Sequence, residues 1–154
     1  MSSLLLTACL LTPTADAPTA STPDLTGVHG VTDLSAAASA EFSAPYRDGR
    51  IYFATAANRD AYAKDVKKYE AAANFQLVRT GQYKQGACPL SGEKPDETFG
   101  TVDVDGLKVK VLCPECAKDL AGESLAELVD LLFDDAGWKE GDFTPVKPAK
   151  VTVE

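Results

Sequence analysis

The chain has 154 residues, of which 45% are hydrophobic and 25% charged, with 15 Lys and Arg against 23 Asp and Glu. The net charge of −8 would repel nucleic acid and anionic lipid surfaces, which argues against nucleic-acid binding as the function. No run reaches the roughly 18 apolar residues of a membrane-spanning helix, and the length allows one ordinary domain or two very small ones.

The first 26 residues differ in composition from the rest of the chain. An apolar patch is followed by a run rich in Thr, Pro, Ala, Ser and Asp, which is typical of a flexible spacer. Residues 6–9, Leu-Thr-Ala-Cys, resemble the lipobox of bacterial lipoproteins, in which the cysteine is lipidated. The resemblance implies lipidation at Cys9 and a periplasmic or cell-surface location. In the alternative, Cys9 lies in a disordered tail.

The next segment predicts a β-hairpin followed by a helix. Residues 40–46 and 50–55 alternate as two strands around Asp48-Gly49, a pair suited to positive φ in a tight turn. Residues 56–70 are predicted as a helix that is capped by Thr55. Residues 75–80 are predicted as a short strand or an extended connection.

A second hairpin is predicted over residues 98–113, with Asp105-Gly106 at its turn. Residues 114–121 predict a short helix with Pro114 in its first turn, and residues 124–138 a longer amphipathic helix. The prolines of the C-terminal tail end helix formation there, so this tail is predicted to add an edge strand.

The two segments form an internal repeat in which one copy lacks its cysteines. Without gaps, residues 48–63 match 105–121 from the helix side, so that Ala54 aligns with Cys113 and Ala57 with Cys116. Cys88 precedes Cys113 by the same number of positions as His29 precedes Ala54. His29 is therefore either the counterpart of Cys88 or a turn or packing histidine.

The first copy resembles a YHS domain, and specifically its cysteine-free subgroup. The matching positions within residues 29–70 are Tyr46, Gly49, Tyr52, Phe53, Asn58, Arg59, Tyr62 and the segment 67–69. Metal-binding members carry cysteines where this copy has Ala54 and either Ala57 or Asn58, and Val66 replaces the usual proline. The resemblance therefore implies no metal binding in this half.

The second copy, residues 88–120, is similar to the TRASH and related heavy-metal-binding modules, which resemble a treble clef. The matching positions are Cys88, Pro89, Gly92, Gly106, Cys113 and Cys116. The resemblance implies one thiolate from a knuckle and two from the junction between a strand and a helix. At that junction, the helix N-terminus would lower the pKa of the thiols.

Three thiolates suit Cu(I), or Zn(II) with a fourth ligand. The candidates for that ligand are a water, His29, Asp119, Glu115 or a group from a partner protein. Two alternatives compete with metal binding. Cys113 and Cys116 could pair as a disulfide in an oxidising compartment, or the cysteines could act as a redox pair, although the βαβ context of thioredoxin-like folds is missing. Reduced thiols that only pack in the core are a third alternative.

The sequence thus predicts an α+β protein of two small units, each a β-hairpin with a helix, packed together. Residues 1–26 are the signal-like segment and linker, 27–80 the module without cysteine ligands, 81–140 the module with three cysteines, and 141–154 the tail. No catalytic motif is found, so a non-enzyme is predicted. The expected function is extracytoplasmic binding of copper or zinc through Cys88, Cys113 and Cys116. The alternative is a non-catalytic interaction module or complex subunit whose cysteines form a structural disulfide or structural metal site. The expected partners are the metal ion and a protein, with contact to a membrane only through a lipid anchor.

Overall fold

The computed structural model describes residues 23–112 and 114–147, which combine helices with small antiparallel strand pairs, so the predicted α+β class is confirmed. The strands are β1 (His29–Gly30), β2 (Asp33–Ala37), β3 (Ser39–Tyr46), β4 (Gly49–Phe53), β5 (Tyr83–Lys84), β6 (Gly100–Val104), β7 (Leu107–Val111) and β8 (Thr144–Pro145). The helices are α1 (Ala56–Lys64), α2 (Glu70–Arg79), α3 (Pro114–Leu120), α4 (Leu125–Phe133) and α5 (Asp135–Glu140), with a 3-10 turn at Lys67–Tyr69.

The two predicted hairpins are present. β3 pairs with β4 and β6 with β7, while β1 with β2 and β5 with β8 form two shorter antiparallel pairs. The last pair confirms the edge strand predicted for the tail. In the β6–β7 turn, Asp105 (φ 52°) and Gly106 (φ 79°) both adopt positive φ, as this turn type requires.

The turn of the first hairpin lies one residue earlier than predicted. Its loop is Arg47-Asp48, with Arg47 at φ 49°, and Gly49 already belongs to β4. Gly49 is needed for a different reason, because a Cβ there would lie 2.6 Å from Oε1 of Gln82 and 2.9 Å from the side chain of Leu77. The glycine thus lets a glutamine side chain approach the strand.

The helical region between the hairpins differs from the prediction. The helix predicted over 56–70 ends at Lys64, and the strand predicted over 75–80 is wrong, because these residues belong to α2 and its C-cap Thr80. Thr55 caps α1 as predicted, its hydroxyl accepting the N–H of Asn58. Residues 73–78 of α2 are all buried, which hides the helical period that would have identified it.

The helix predicted over 124–138 is two helices, α4 and α5. Ser124 and Glu127 form a capping box at the start of α4, where Glu127 Oε2 accepts the Ser124 N–H at 3.0 Å. Asp134 ends α4 and caps α5, because its carboxylate accepts the N–H of Gly137 at 2.7 Å. The chain therefore turns at Asp134.

Glutamine side chains complete the outer edge of β4. Arg50 and Tyr52 are alternate residues whose N–H and C=O groups face away from β3. Gln82 pairs with both groups of Arg50 at 2.7 Å each. Gln76, which is buried in α2, accepts the Tyr52 N–H at 2.6 Å and donates to the carbonyls of Tyr52 at 2.9 Å and His29 at 2.7 Å. These amides satisfy groups that a third strand would otherwise pair.

One hydrophobic cluster contains residues of both predicted modules. It includes Ile51 and Phe53 of β4, Leu77 of α2, Val111 of β7 and Phe133 of α4, each with no measurable exposure. Helix α2 packs between the first hairpin and α4. The division into modules stays a prediction, but the core of the described residues is shared.

Candidate metal centre

The segment that leads to Cys88 is held against the outer edge of β7. Gln85 accepts the Lys110 N–H at 3.0 Å and donates to the Lys110 carbonyl at 2.7 Å, so its amide occupies the edge as those of Gln76 and Gln82 do on β4. Its Nε2 also donates to the carbonyl of Ala87 at 2.8 Å. This pairing fixes the chain just before Cys88.

Residues 88–92 form a tight knuckle. The carbonyl of Cys88 accepts the N–H groups of Ser91 at 3.3 Å and Gly92 at 2.9 Å, and Gly92 adopts φ 71°. The N–H of Cys88 donates to the carbonyl of Glu93 at 2.8 Å. Pro89 and Gly92 thus explain the knuckle that the sequence predicted, since proline suits the turn and glycine the positive φ.

The thiol of Cys88 is free, completely buried and surrounded by hydrogen-bond donors. Burial raises its pKa, but the Ser91 hydroxyl and the backbone N–H groups of Leu90, Leu112 and Ser91 all lower it, and together they hold the pKa below its ordinary value. Donors of this kind stabilise a thiolate, the form that binds metals. These hydrogen bonds therefore favour the thiolate form of Cys88, which metal binding requires.

The hydrogen bond from Leu112 places Cys88 at the end of β7. Leu112 immediately precedes Cys113, which lies outside the described residues, and Cys116 lies in the first half of α3. The structure therefore brings the sulfur of Cys88 to the strand end from which the two other predicted ligands follow. The set of three cysteines that the resemblance implied stays a prediction.

Cys116 is partly buried against the core and is disulfide-bonded, and its partner is not Cys88, which is free. A sulfur in a disulfide has no thiolate to offer a metal, so the three-thiol set requires reduction of this bond. Within residues 23–112 and 114–147, no three His, Cys, Asp or Glu side chains form a metal-holding group.

The residues predicted as a possible fourth ligand lie in environments that differ from that of Cys88. His29 lies on β1, and its Nε2 is 3.3 Å from Oδ2 of Asp105 in the β6–β7 turn. Glu115 is exposed in the first turn of α3, and Asp119 is exposed at its C-terminal end. The lipidation residue Cys9 lies outside the described residues.

Ser91 and Gln85 were not identified from the sequence. For Ser91, the signal available in the sequence was its position between Pro89 and Gly92. The role of Gln85 depends on a contact with β7 that the sequence does not display.

In comparisons with family models, curated proteins and solved structures, nothing matched this chain. The resemblance to YHS and TRASH-like modules therefore stays a prediction. Among the helices of residues 23–112 and 114–147, none has the length and apolar composition needed to span a bilayer.

Proposed function

We propose that the chain binds one soft metal ion, Cu(I) or Zn(II), through Cys88, Cys113 and Cys116 when the disulfide of Cys116 is reduced. The observation that carries this proposal is the environment of Cys88, where hydroxyl and backbone donors lower the pKa of a buried thiol beside the end of β7. A cysteine that only filled the core would not need these donors. The role is non-catalytic, in metal handling or sensing.

The location proposed with this function is outside the cytoplasm. The disulfide of Cys116 supports it, because such bonds persist in oxidising compartments. The lipobox-like residues 6–9 supply the anchor by lipidation of Cys9. Metabolic labelling with a fatty acid should mark the wild type and not Cys9→Ala, and equal labelling of both would contradict the anchor.

Native mass spectrometry tests metal binding directly. The full chain is reduced anaerobically with a phosphine, separated from the reductant and incubated with Cu(I) or Zn(II). We expect one metal per chain, and about 100-fold weaker binding for Cys88→Ser in competition with a chromophoric chelator, because a hydroxyl is a poor ligand for soft metals. Cys9→Ser is the control and should retain wild-type affinity. Unchanged affinity in Cys88→Ser would refute the site.

Ser91 allows a gain-of-function test. Because its hydroxyl contacts the sulfur of Cys88, Ser91→Cys would add a thiolate to a set that has three. Zn(II) prefers four ligands, so we expect about tenfold tighter Zn(II) binding, and a smaller gain for Cu(I), which accepts three. No gain for either metal would count against a site beside the knuckle.

A second function is favoured by the disulfide of Cys116. In it, Cys113 and Cys116 pair permanently, and the chain is an interaction module or complex subunit. Protein isolated from its native compartment under acid quench would then lack about 2 Da of hydrogen and carry no metal. Metal-loaded protein without this deficit would instead favour the first function.

A further inference from the structure

A groove of about 500 Å³ runs between the C-terminal end of α3 and the outward face of α4. Two leucines, Leu120 and Leu131, and five acidic residues line it, including Asp119, Glu123 and Asp130. No basic residue is among these lining residues. The lining of the groove therefore combines two apolar side chains with an anionic rim of five carboxylates.

The anionic rim is not neutralised within the described residues. Across residues 23–112 and 114–147, Asp119, Glu123 and Asp130 take part in no ion pair. Asp130 also lines a second pocket with Lys67 and Lys68 but forms an ion pair with neither, so its charge, like those of Asp119 and Glu123, can meet a cation from outside the chain.

The same charges are unfavourable for α4 itself. Glu127, Asp130 and Asp134 follow one another on one helical face, where like charges repel. The last turn of α4 contains no basic residue, so Asp130 also opposes the negative end of the helix dipole. Glu127 and Asp134 serve as caps, but Asp130 has no such role. A cationic partner would relieve both effects.

Leu131 supplies the apolar part of the surface. Its 48% exposure exceeds that of the other exposed large hydrophobic residues, whereas neighbouring Leu128 and Leu132 are buried in the core. It therefore stands outside the core-facing stripe of α4. With Leu120 it offers an apolar contact inside the ring of carboxylates.

We propose that this groove binds a cationic amphipathic helix of a partner protein. The space between two helices suits a third helix, whose apolar anchor would contact Leu120 and Leu131 while its Lys or Arg residues meet Asp119, Glu123 and Asp130. A second copy of this chain fits less well, because each copy carries a charge of −8. Since Asp119 and Leu120 lie about one helical turn after Cys116, the partner would be held beside the cysteines. The groove does not depend on metal binding.

The test uses the full chain, isotope-labelled for NMR, and a synthetic peptide of about 14 residues with Lys and Leu at helical spacing. We expect saturable binding with amide shifts concentrated in residues 119–134. The double variant Asp119→Asn/Asp130→Asn should bind about tenfold more weakly, because it removes two charges that face the peptide. Leu131→Gln should weaken binding about fivefold through the loss of the apolar contact.

The matched control is Glu41→Gln/Glu97→Gln, which changes the net charge equally at two exposed positions outside the groove. It should weaken binding less than about twofold, as expected for remote screened charges. Equal weakening in the two double variants, or equal affinity for a scrambled peptide of the same composition, would overturn the proposal. So would shifts centred elsewhere, or equally tight binding of the polyamine spermine, which would make the groove a small-cation site.

Discussion

The hairpins β3–β4 and β6–β7 are completed at their outer edges by different chemistry. On β4, the groups left unpaired by the hairpin meet the amides of Gln76 and Gln82. On β7, the amide of Gln85 is followed by the thiol of Cys88. An amide donates and accepts at any pH, whereas a sulfur is a weak acceptor until it ionises. Hydrogen bonding at the β7 edge therefore depends on the ionisation of Cys88, whereas hydrogen bonding at the β4 edge does not depend on ionisation.

Each region also contains a buried acidic side chain, Tyr62 in the first and Cys88 in the second, and their pKa values are shifted in opposite directions. Burial raises the pKa of Tyr62, in α1, to about 12, with smaller upward contributions from Tyr46 and Glu70. Cys88 is also buried, but its hydrogen-bond donors outweigh burial and lower its pKa. Burial alone disfavours ionisation of an acid, whereas hydrogen-bond donors around a buried acid favour its charged form. Such donors surround Cys88, in the half of the chain that retains its cysteines.

The largest effect is expected on the β4 edge, from Gln76→Leu. Three hydrogen bonds are lost, which leaves the Tyr52 N–H and C=O and the His29 carbonyl without this partner in or near the core. We expect a loss of about 3–5 kcal/mol in the free energy of unfolding, measured in urea. The half-buried counterpart Gln82→Leu should lose about 1 kcal/mol. Equal losses would mean that the burial of Gln76 has no influence on the cost.

Cys88→Ala tests the β7 edge in metal-free protein with its disulfide intact. Because the folded-state pKa of Cys88 is below the unfolded value, its ionisation adds stability that is complete above the unfolded pKa and is lost as pH falls through the folded pKa. The stability difference between wild type and variant should therefore grow as pH rises and level off above the unfolded-state thiol pKa of about 8.5. Urea unfolding at each pH measures it. A constant difference would show that the donors do not favour the thiolate.

Tyr62→Phe should give the opposite pH dependence. With a folded-state pKa of about 12 against about 10 in the unfolded chain, the neutral phenol adds stability below pH 10 that is lost as pH rises towards 12. The wild type should lose on the order of 1 kcal/mol more than the variant between about pH 9 and about pH 11. When phenolate formation is followed by ultraviolet absorbance, the titration step with the highest pKa should be absent in the variant. If the stability of both proteins fell equally, the raised pKa would belong to a group other than Tyr62.

The two hairpins were easier to predict from the sequence than the central helix α2. Alternating residues and Asp105-Gly106 predicted the second hairpin, because these patterns reflect local geometry. Residues 75–80 were predicted as a strand or an extended connection, and Phe75 and Val78 do favour strands, but the segment belongs to α2, which is buried on most sides. Tertiary burial thus removed the periodic signal on which helix prediction depends.

The site was predictable only as a set of cysteines. The resemblance predicted Cys88, Cys113 and Cys116 as ligands, but the donors that act on Cys88 include the backbone N–H of Leu112, and the pairing of Gln85 with β7 brings the two segments together. The groove depends similarly on how α3 and α4 meet. Contacts between distant segments produce both features, and a single sequence records such contacts only indirectly.

The smallest expected effect distinguishes the role of the β7 edge from that of the β4 edge. Gln85→Leu and Gln82→Leu each remove an amide that pairs with one residue of a hairpin edge, so each should lower stability by about 1 kcal/mol. Only Gln85 also positions the chain that leads to Cys88, through its bond to the Ala87 carbonyl. Metal affinity of the reduced protein should therefore fall about three- to tenfold in Gln85→Leu and stay unchanged in Gln82→Leu. Equal affinities would mean that the knuckle holds Cys88 without the edge, whereas a selective loss would make Gln85 a positioning residue for the thiolate.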